Sequence, residues 1–268
     1  MERVQLFEFE DLPWFPQLLR ECITDFLSFL GQRGQAVYAG FAERLARALQ
    51  ATGDDTLLDL CSGGGGPALT IARLLREQHA LPLRVLLTDL YPNMPRLEHA
   101  RSQGRGHVEF RARPVDATAV PEALPGFRLI CNAFHHLPPS AARKCLADAV
   151  SHGRGIALVE LVDRSLAGVF GVTLGTAAVF AVTPFIRPLR LSRLLLTYLL
   201  PVVPLCTWWD GMVSCLRAYS PAELRRLVAS LPDNDYQWDI GRLPVANAPT
   251  SLVYLIGRPR LPATAAPS

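Results

Sequence analysis

The segment Leu57-Leu58-Asp59-Leu60-Cys61-Ser62-Gly63-Gly64-Gly65-Gly66-Pro67 sets four glycines between an apolar run and a proline suited to a first helical turn. Glycine has no Cβ, so a ligand can approach its backbone, and a helix start offers free N–H groups. Read alone, Gly63-x-Gly65-x-x-Ala68 fits a dinucleotide loop or a plain structural turn. Other polar groups sit at intervals downstream. Asp89 lies 24 residues after Gly65 and either accepts hydrogen bonds from a ligand or caps a helix; Asp116 follows in Val115-Asp116-Ala117. His135 and His136 are adjacent, and an imidazole titrates near neutrality, so either suits a general base or shapes its loop. Glu160 and Asp163 are two further acids.

The elements around these residues explain their spacing. From residue 56 short apolar runs alternate with helical stretches, the pattern of β-α-β units and a mostly parallel sheet. Strands are expected at Thr56 to Cys61, Arg84 to Asp89, His107 to Arg111, Phe127 to Asn132 and Gly155 to Leu161. Asp59 and Ser62, Asp89, Asp116, Asn132 and Glu160 all fall at or just after strand carboxyl ends, the edge where open α/β sheets bind ligands. Upstream, residues 14 to 50 read as two helices, with Gly31 stopping the first. Ser220-Pro221-Ala222-Glu223 is a capping box, and Tyr236 to Gly241 with Ser251 to Gly257 close the sheet as an antiparallel pair.

Asp59-x-x-Ser62-Gly63-x-Gly65-Gly66 resembles the first motif of class I S-adenosylmethionine (AdoMet)-dependent methyltransferases. The resemblance covers roughly residues 56 to 161 plus the closing strands, with four motifs in order. It implies a Rossmann-like seven-stranded α/β sheet, mostly parallel with an antiparallel last strand and helices on both faces. AdoMet is the implied cofactor. By the same resemblance Asp59, Ser62, Gly63 and Gly65 organise the loop at its methionine end, and Asp89 and Leu90 meet the ribose. Asp116 and Ala117 meet the adenine, and Asn132 lies in the segment facing the methionyl part. His135, His136 and Glu160 are the candidates for catalysis. The competing readings are an NAD-dependent oxidoreductase and a non-catalytic, membrane-associated AdoMet-binding partner protein.

Residues 162–219 break the β-α rhythm. Ser165 to Ile186 carries no charge over 22 positions, Arg187, Arg190 and Arg193 follow, and Leu194 to Trp209 is again uncharged. The pattern suggests a helical hairpin with a basic elbow: a cap over an apolar substrate, a segment dipping into a membrane surface through residues 165–209, or, least suited to its prolines, a span. The division is then an N-terminal helical segment (1–55), a cofactor core (56–161), the apolar insert (162–219), completion of the sheet (220–258) and a disordered tail (259–268).

The chain has 268 residues, half of them hydrophobic, enough for one sizeable α/β domain. A net charge of +3 without basic runs gives no reason to expect nucleic acid. The six cysteines form no C-x-x-C pair, so no metal centre is expected from them. Free buried thiols and a start without signal-peptide features point to the cytoplasm, with a peripheral position on the inner membrane face as the variant the insert suggests. The expected substrate is a small or lipid-like molecule.

Overall fold

A computed structural model describes residues 2–33, 35–232, 235–245 and 251–260. Five parallel strands form the centre: β1 (Thr56–Leu60), β2 (Arg84–Leu87), β3 (Val108–Phe110), β4 (Phe127–Cys131) and β5 (Ile156–Glu160). β6 (Tyr236–Pro244) and β7 (Ser251–Pro259) complete a seven-stranded sheet of order β3-β2-β1-β4-β5-β7-β6. β7 runs antiparallel to both neighbours and is the single reversed strand. The expected strands are present, each trimmed or extended by a few residues, because burial pattern locates a strand better than it locates its ends.

Strand side chains alternate between two cores, as pleat geometry requires. Leu57, Leu129, Val159 and Tyr254 face one core, filled by α2 (Gln35–Thr52), α3 (Gly66–His79) and α4 (Met94–Gln103). Leu58, Ile130, Leu158 and Leu255 face the other, filled by α5 (Pro139–Ser151) and α9 (Pro221–Ala229). The expected capping box at Ser220 and Glu223 opens α9.

A third apolar cluster lies outside the sheet. α1 (Gln17–Arg33) sends Cys22, Ile23 and Phe26 against Val179, Ile186, Val203 and Cys206 of the insert. Gly31 does not end α1 as expected; it sits inside the helix, where the Pro67 ring packs close by. The insert itself consists of α6 (Leu166–Val182), α7 (Leu191–Leu194), a π-helical turn (Leu195–Leu199) and α8 (Val202–Arg217). α6 packs on α8, giving the expected hairpin, but the second arm bends by 76° between Leu199 and Val202. The tail expected from residue 259 lies outside the described residues from 261 onward.

The basic elbow is corrected by its partners. Arg193 is buried, ion-paired to Asp25 at 2.8 Å, and donates to the carbonyls of Ile186 and Pro188. Arg190 pairs with Glu21 at 2.6 Å. Two of the three arginines therefore fasten the insert to α1, Arg193 from a buried position and Arg190 through an ion pair at the surface. Local sequence shows a cation but not the distant acid that claims it.

Candidate functional site

β1 and β4 are adjacent, and both leave the sheet the same way. Cys61 (φ +58°) and Asn132 (φ +51°) take left-handed backbone conformations that non-glycine residues seldom adopt. Strand order reverses between these two strands, which opens the crevice where such sheets hold ligands. Asn132 braces the exit: its side-chain oxygen accepts from Leu161 N at 2.8 Å and its amide donates to the Tyr38 hydroxyl at 3.0 Å.

Ser62 staples the glycine loop to the end of β2. Its hydroxyl donates to the Asp59 carbonyl and accepts from Thr88 N, both at 3.0 Å. The Thr88 hydroxyl donates to the same Asp59 carbonyl at 2.8 Å. The Asp59 side chain is buried, and burial pushes its carboxyl up to about 7, against the lowering effect of Ser62 and with a further push from Asp89.

The glycines divide into two roles. Gly63 is exposed at φ +54°, and a Cβ built there would meet nothing within 4 Å. Its N–H donates to Asp89 Oδ2 at 2.8 Å, while Asp89 Oδ1 accepts from Tyr91 N at 2.9 Å. A carboxylate has about four acceptor positions, so two remain without a donor among the described residues. Gly65, at φ +72°, is buried, and a Cβ there would lie 3.0 Å from Leu87 Cδ1. The side of Gly65 that a side chain would occupy thus faces the core and not the crevice.

The third segment is tied in by Val115 N, which donates to the Asp89 carbonyl at 2.9 Å. Asp116 Oδ1 accepts from both the backbone and the hydroxyl of Thr118 at 2.8 Å, leaving Oδ2 without a partner among the described residues. Ala117 is buried and Leu90 is exposed beside Asp89.

The histidine pair sits on a short 3-10 turn, Phe134–His136, following β4. Glu160, at the end of neighbouring β5, accepts from Phe134 N at 2.7 Å through Oε1 and faces His135 Nδ1 at 2.7 Å through Oε2. The residues the sequence reading missed close over this pair. Glu8 and Asp11 arrive from the N-terminal segment and Arg217 from the end of α8. Asp11 Oδ1 lies 2.9 Å from His136 Nδ1, and Arg217 Nη1 lies 2.6 Å from Asp11 Oδ2 and 3.2 Å from Glu8 Oε1. Burial would raise the Asp11 carboxyl, but hydrogen bonds from His136 and Arg217 outweigh it and hold it at about 2. Glu8 has less help, and burial pushes it up to about 7 despite His136 and Arg217. The acid-aromatic alternation Phe7-Glu8-Phe9-Glu10-Asp11 was the signal available in the sequence.

The tryptophans at the end of the insert's second uncharged run are tied into the insert and the N-terminal segment. Trp209 Nε1 donates to the Phe7 carbonyl at 3.1 Å and Trp208 Nε1 to Thr173 Oγ1 at 3.3 Å. Asp163, buried, accepts from Ser165 N at 3.1 Å at the start of α6 and stands apart from the histidine pair. A polar cleft lined by Arg3, Asp163, Arg164, Tyr219, Glu223 and Arg242 contains none of the glycine-loop residues, and its charges pair internally as Arg164–Glu223 and Arg242–Asp163.

No protein-family model and no curated protein matches the sequence. Solved structures do match. The plantazolicin methyltransferase BpumL, solved in complex with SAH, aligns over 94% of this chain and 94% of its own at 11% identity, with a TM-score of 0.55. The plantazolicin methyltransferase BamL, solved with SAH and a desmethyl plantazolicin analogue, aligns over 91% of this chain and 98% of its own at 11% identity and a TM-score of 0.54.

The fold is that of the class I methyltransferases.

Within that methyltransferase fold, the seven-stranded, mostly parallel sheet and the reversed β7 agree with the sequence expectation. The methyltransferase frame also places Ser62, Gly63, Asp89 and the Asp116 segment at one edge, because all four follow adjacent parallel strands.

Proposed function

We propose that this chain transfers the methyl group of AdoMet to a small, apolar acceptor. The observation that carries the reading is the pairing of the exposed, Cβ-free Gly63 with Asp89, whose carboxylate has acceptor positions left over beyond the hydrogen bonds from Gly63 and Tyr91. Those positions suit a pair of ribose hydroxyls, and the bare face of Gly63 suits close approach of the methionyl chain. Asp116 Oδ2 is available for the adenine amino group. When bound, AdoMet supplies an electrophilic methyl on a sulfonium sulfur. The chain's own part is to orient the acceptor in line and exclude water. His135 is 4% exposed and held by Glu160, so this reading requires no proton transfer from it.

Calorimetry with AdoMet, its demethylated product and NAD, run side by side, tests the proposal. Binding of the first two with weak or no NAD binding is expected. Tight NAD binding without an AdoMet signal would overturn it in favour of the oxidoreductase reading.

One observation favours a lipid-facing variant of this reading. Leu166, Phe170 and Leu174 stand one helical turn apart on α6 and are 85%, 60% and 59% exposed. The stretch Leu166–Phe185 is strongly apolar, with a mean hydropathy of 1.9, and only about a fifth of it is buried. Such a stripe suits shallow docking on a membrane surface that delivers a dissolved acceptor. Because Arg190 and Arg193 are already paired with Glu21 and Asp25, equal flotation with neutral and anionic liposomes is expected. A protein that stays unbound with both leaves α6 as a cap over the acceptor alone.

A further inference from the structure

Two imidazoles and a carboxylate converge beneath the N-terminal segment, and each imidazole is held from behind by a second carboxylate. The rear contacts are ordinary hydrogen bonds: His135 Nδ1 to Glu160 at 2.7 Å and His136 Nδ1 to Asp11 at 2.9 Å. They fix both rings with Nε2 forward. The forward contacts are different in kind. His135 Nε2 lies 3.9 Å from Glu8 Oε1 and His136 Nε2 lies 3.6 Å from Glu8 Oε2, too far for hydrogen bonds. Neither Nε2 is hydrogen-bonded to a described residue. Bonds of about 2.0–2.1 Å in a tetrahedron put ligand atoms roughly 3.3 Å apart, so the His136 Nε2–Glu8 Oε2 separation is wider than a polyhedron edge by a few tenths of an ångström and the three groups would draw together around an ion. All three donor atoms fall within 4.8 Å of one another.

We propose that Glu8, His135 and His136 form a site for one divalent first-row transition-metal ion, zinc foremost, with Glu160 and Asp11 orienting the two imidazole ligands. Imidazole donors select zinc and its neighbours over magnesium or calcium, which take oxygen ligands. A carboxylate behind each metal-binding imidazole is the usual device for fixing its tautomer and raising its basicity. Arg217 does not fill the place. Its guanidinium and the Ser214 hydroxyl both address Glu8 Oε1, at 3.2 and 3.1 Å, and leave Oε2 free of hydrogen bonds. Three carboxylates touch the pair, against the guanidiniums of Arg217 and of Arg3, which donates to the His135 carbonyl at 3.0 Å, so the group is net negative and favours a cation. Glu8 and His135 are also nearly inaccessible, at 2% and 4% exposure, which shields bound metal from solvent. The absence of paired cysteines, which argues against a thiolate site, does not bear on this one.

The proposal does not rest on the methyl-transfer reading, and its test uses no AdoMet. The full chain, stripped with chelator, is titrated with Co²⁺ and then with Zn²⁺. Wild type is expected to take up one equivalent of Co²⁺ with the intense visible bands of four-coordinate cobalt, bleached by Zn²⁺, and to show a single bound metal by native mass spectrometry. Glu160→Gln should weaken binding roughly 10- to 100-fold. Glu8→Gln and His136→Gln, each close in shape to the original and checked for folding by circular dichroism, should abolish the cobalt bands. A wild-type protein that takes up no stoichiometric metal overturns the proposal without any variant. So does unchanged affinity in folded Glu8→Gln and His136→Gln.

Discussion

Gly63 gives its amide hydrogen to Asp89 Oδ2 at 2.8 Å, so the tip of the glycine loop and the end of β2 act as one unit. The loop is shaped before any ligand arrives, and the carboxylate that shapes it still has acceptor capacity to spare.

Asp89→Ala should weaken AdoMet binding about ten- to a hundredfold, the equivalent of the roughly 1.5–3 kcal/mol typical of a hydrogen bond to a charged group. Titration calorimetry reads this directly. Unchanged affinity with a displaced loop would reduce Asp89 to a partner of Gly63 and Tyr91.

The two glycines should fail differently. Gly65→Ala places a methyl group against Leu87 at a left-handed backbone position, so it should lower the melting temperature. Gly63→Ala meets open space and carries only the backbone penalty of about 1–2 kcal/mol, yet its methyl group enters the crevice. AdoMet affinity should therefore fall more in Gly63→Ala and thermal stability more in Gly65→Ala. The reverse ordering would contradict the division of roles.

Asp59 makes a pH prediction. Its folded-state value is about 7, raised by burial, against roughly 3.9 in an unfolded chain. The folded state thus holds the extra proton, and the stabilising contribution is complete below about pH 4 and lost as pH rises through 7. Asp59→Asn removes that dependence. The variant should melt close to wild type at pH 4 and several degrees higher at pH 8, with the difference growing between them. A constant difference across pH would show that Asp59 is ionised in the fold throughout.

Arg193 and Asp25 form a cross-brace between the insert and α1. Removing either partner leaves a poorly solvated charge, a change that costs about 3–5 kcal/mol in buried pairs, with less expected here because Asp25 is partly exposed. Arg193→Met and Asp25→Asn should each lower stability, and a double-mutant cycle should show the losses to be non-additive. Additive losses would mean the pair is not coupled.

The sheet and its mostly parallel character were legible because parallel strands announce themselves as buried apolar runs, and because Pro67 and Ser220 mark helix starts. Asp59, Ser62, Gly63 and Asp89 could be placed at the sheet's carboxyl edge for the same reason: each sits at or next to a strand end whose position the pattern gives. What stayed hidden depends on distance along the chain. Nothing near Arg193 names Asp25 as its partner, and nothing near His136 names Asp11, 125 residues away. The left-handed conformation at Cys61 was equally silent, since cysteine does not advertise a positive φ, whereas at Asn132 it falls on a residue type enriched there.

The position of β7 has a consequence for how the protein is made. β5 pairs on one side with β4, but its other edge waits for β7, from residue 160 to residue 251, about 90 residues further along. At synthesis rates of about 5–20 residues per second, that edge stays unpaired for roughly 5–20 seconds while the ribosome delivers the most apolar helices of the chain. The nascent protein therefore shows an open strand and the greasy stripe of α6 at the same moment, and this interval, not the finished fold, is where a holding chaperone has most to contribute.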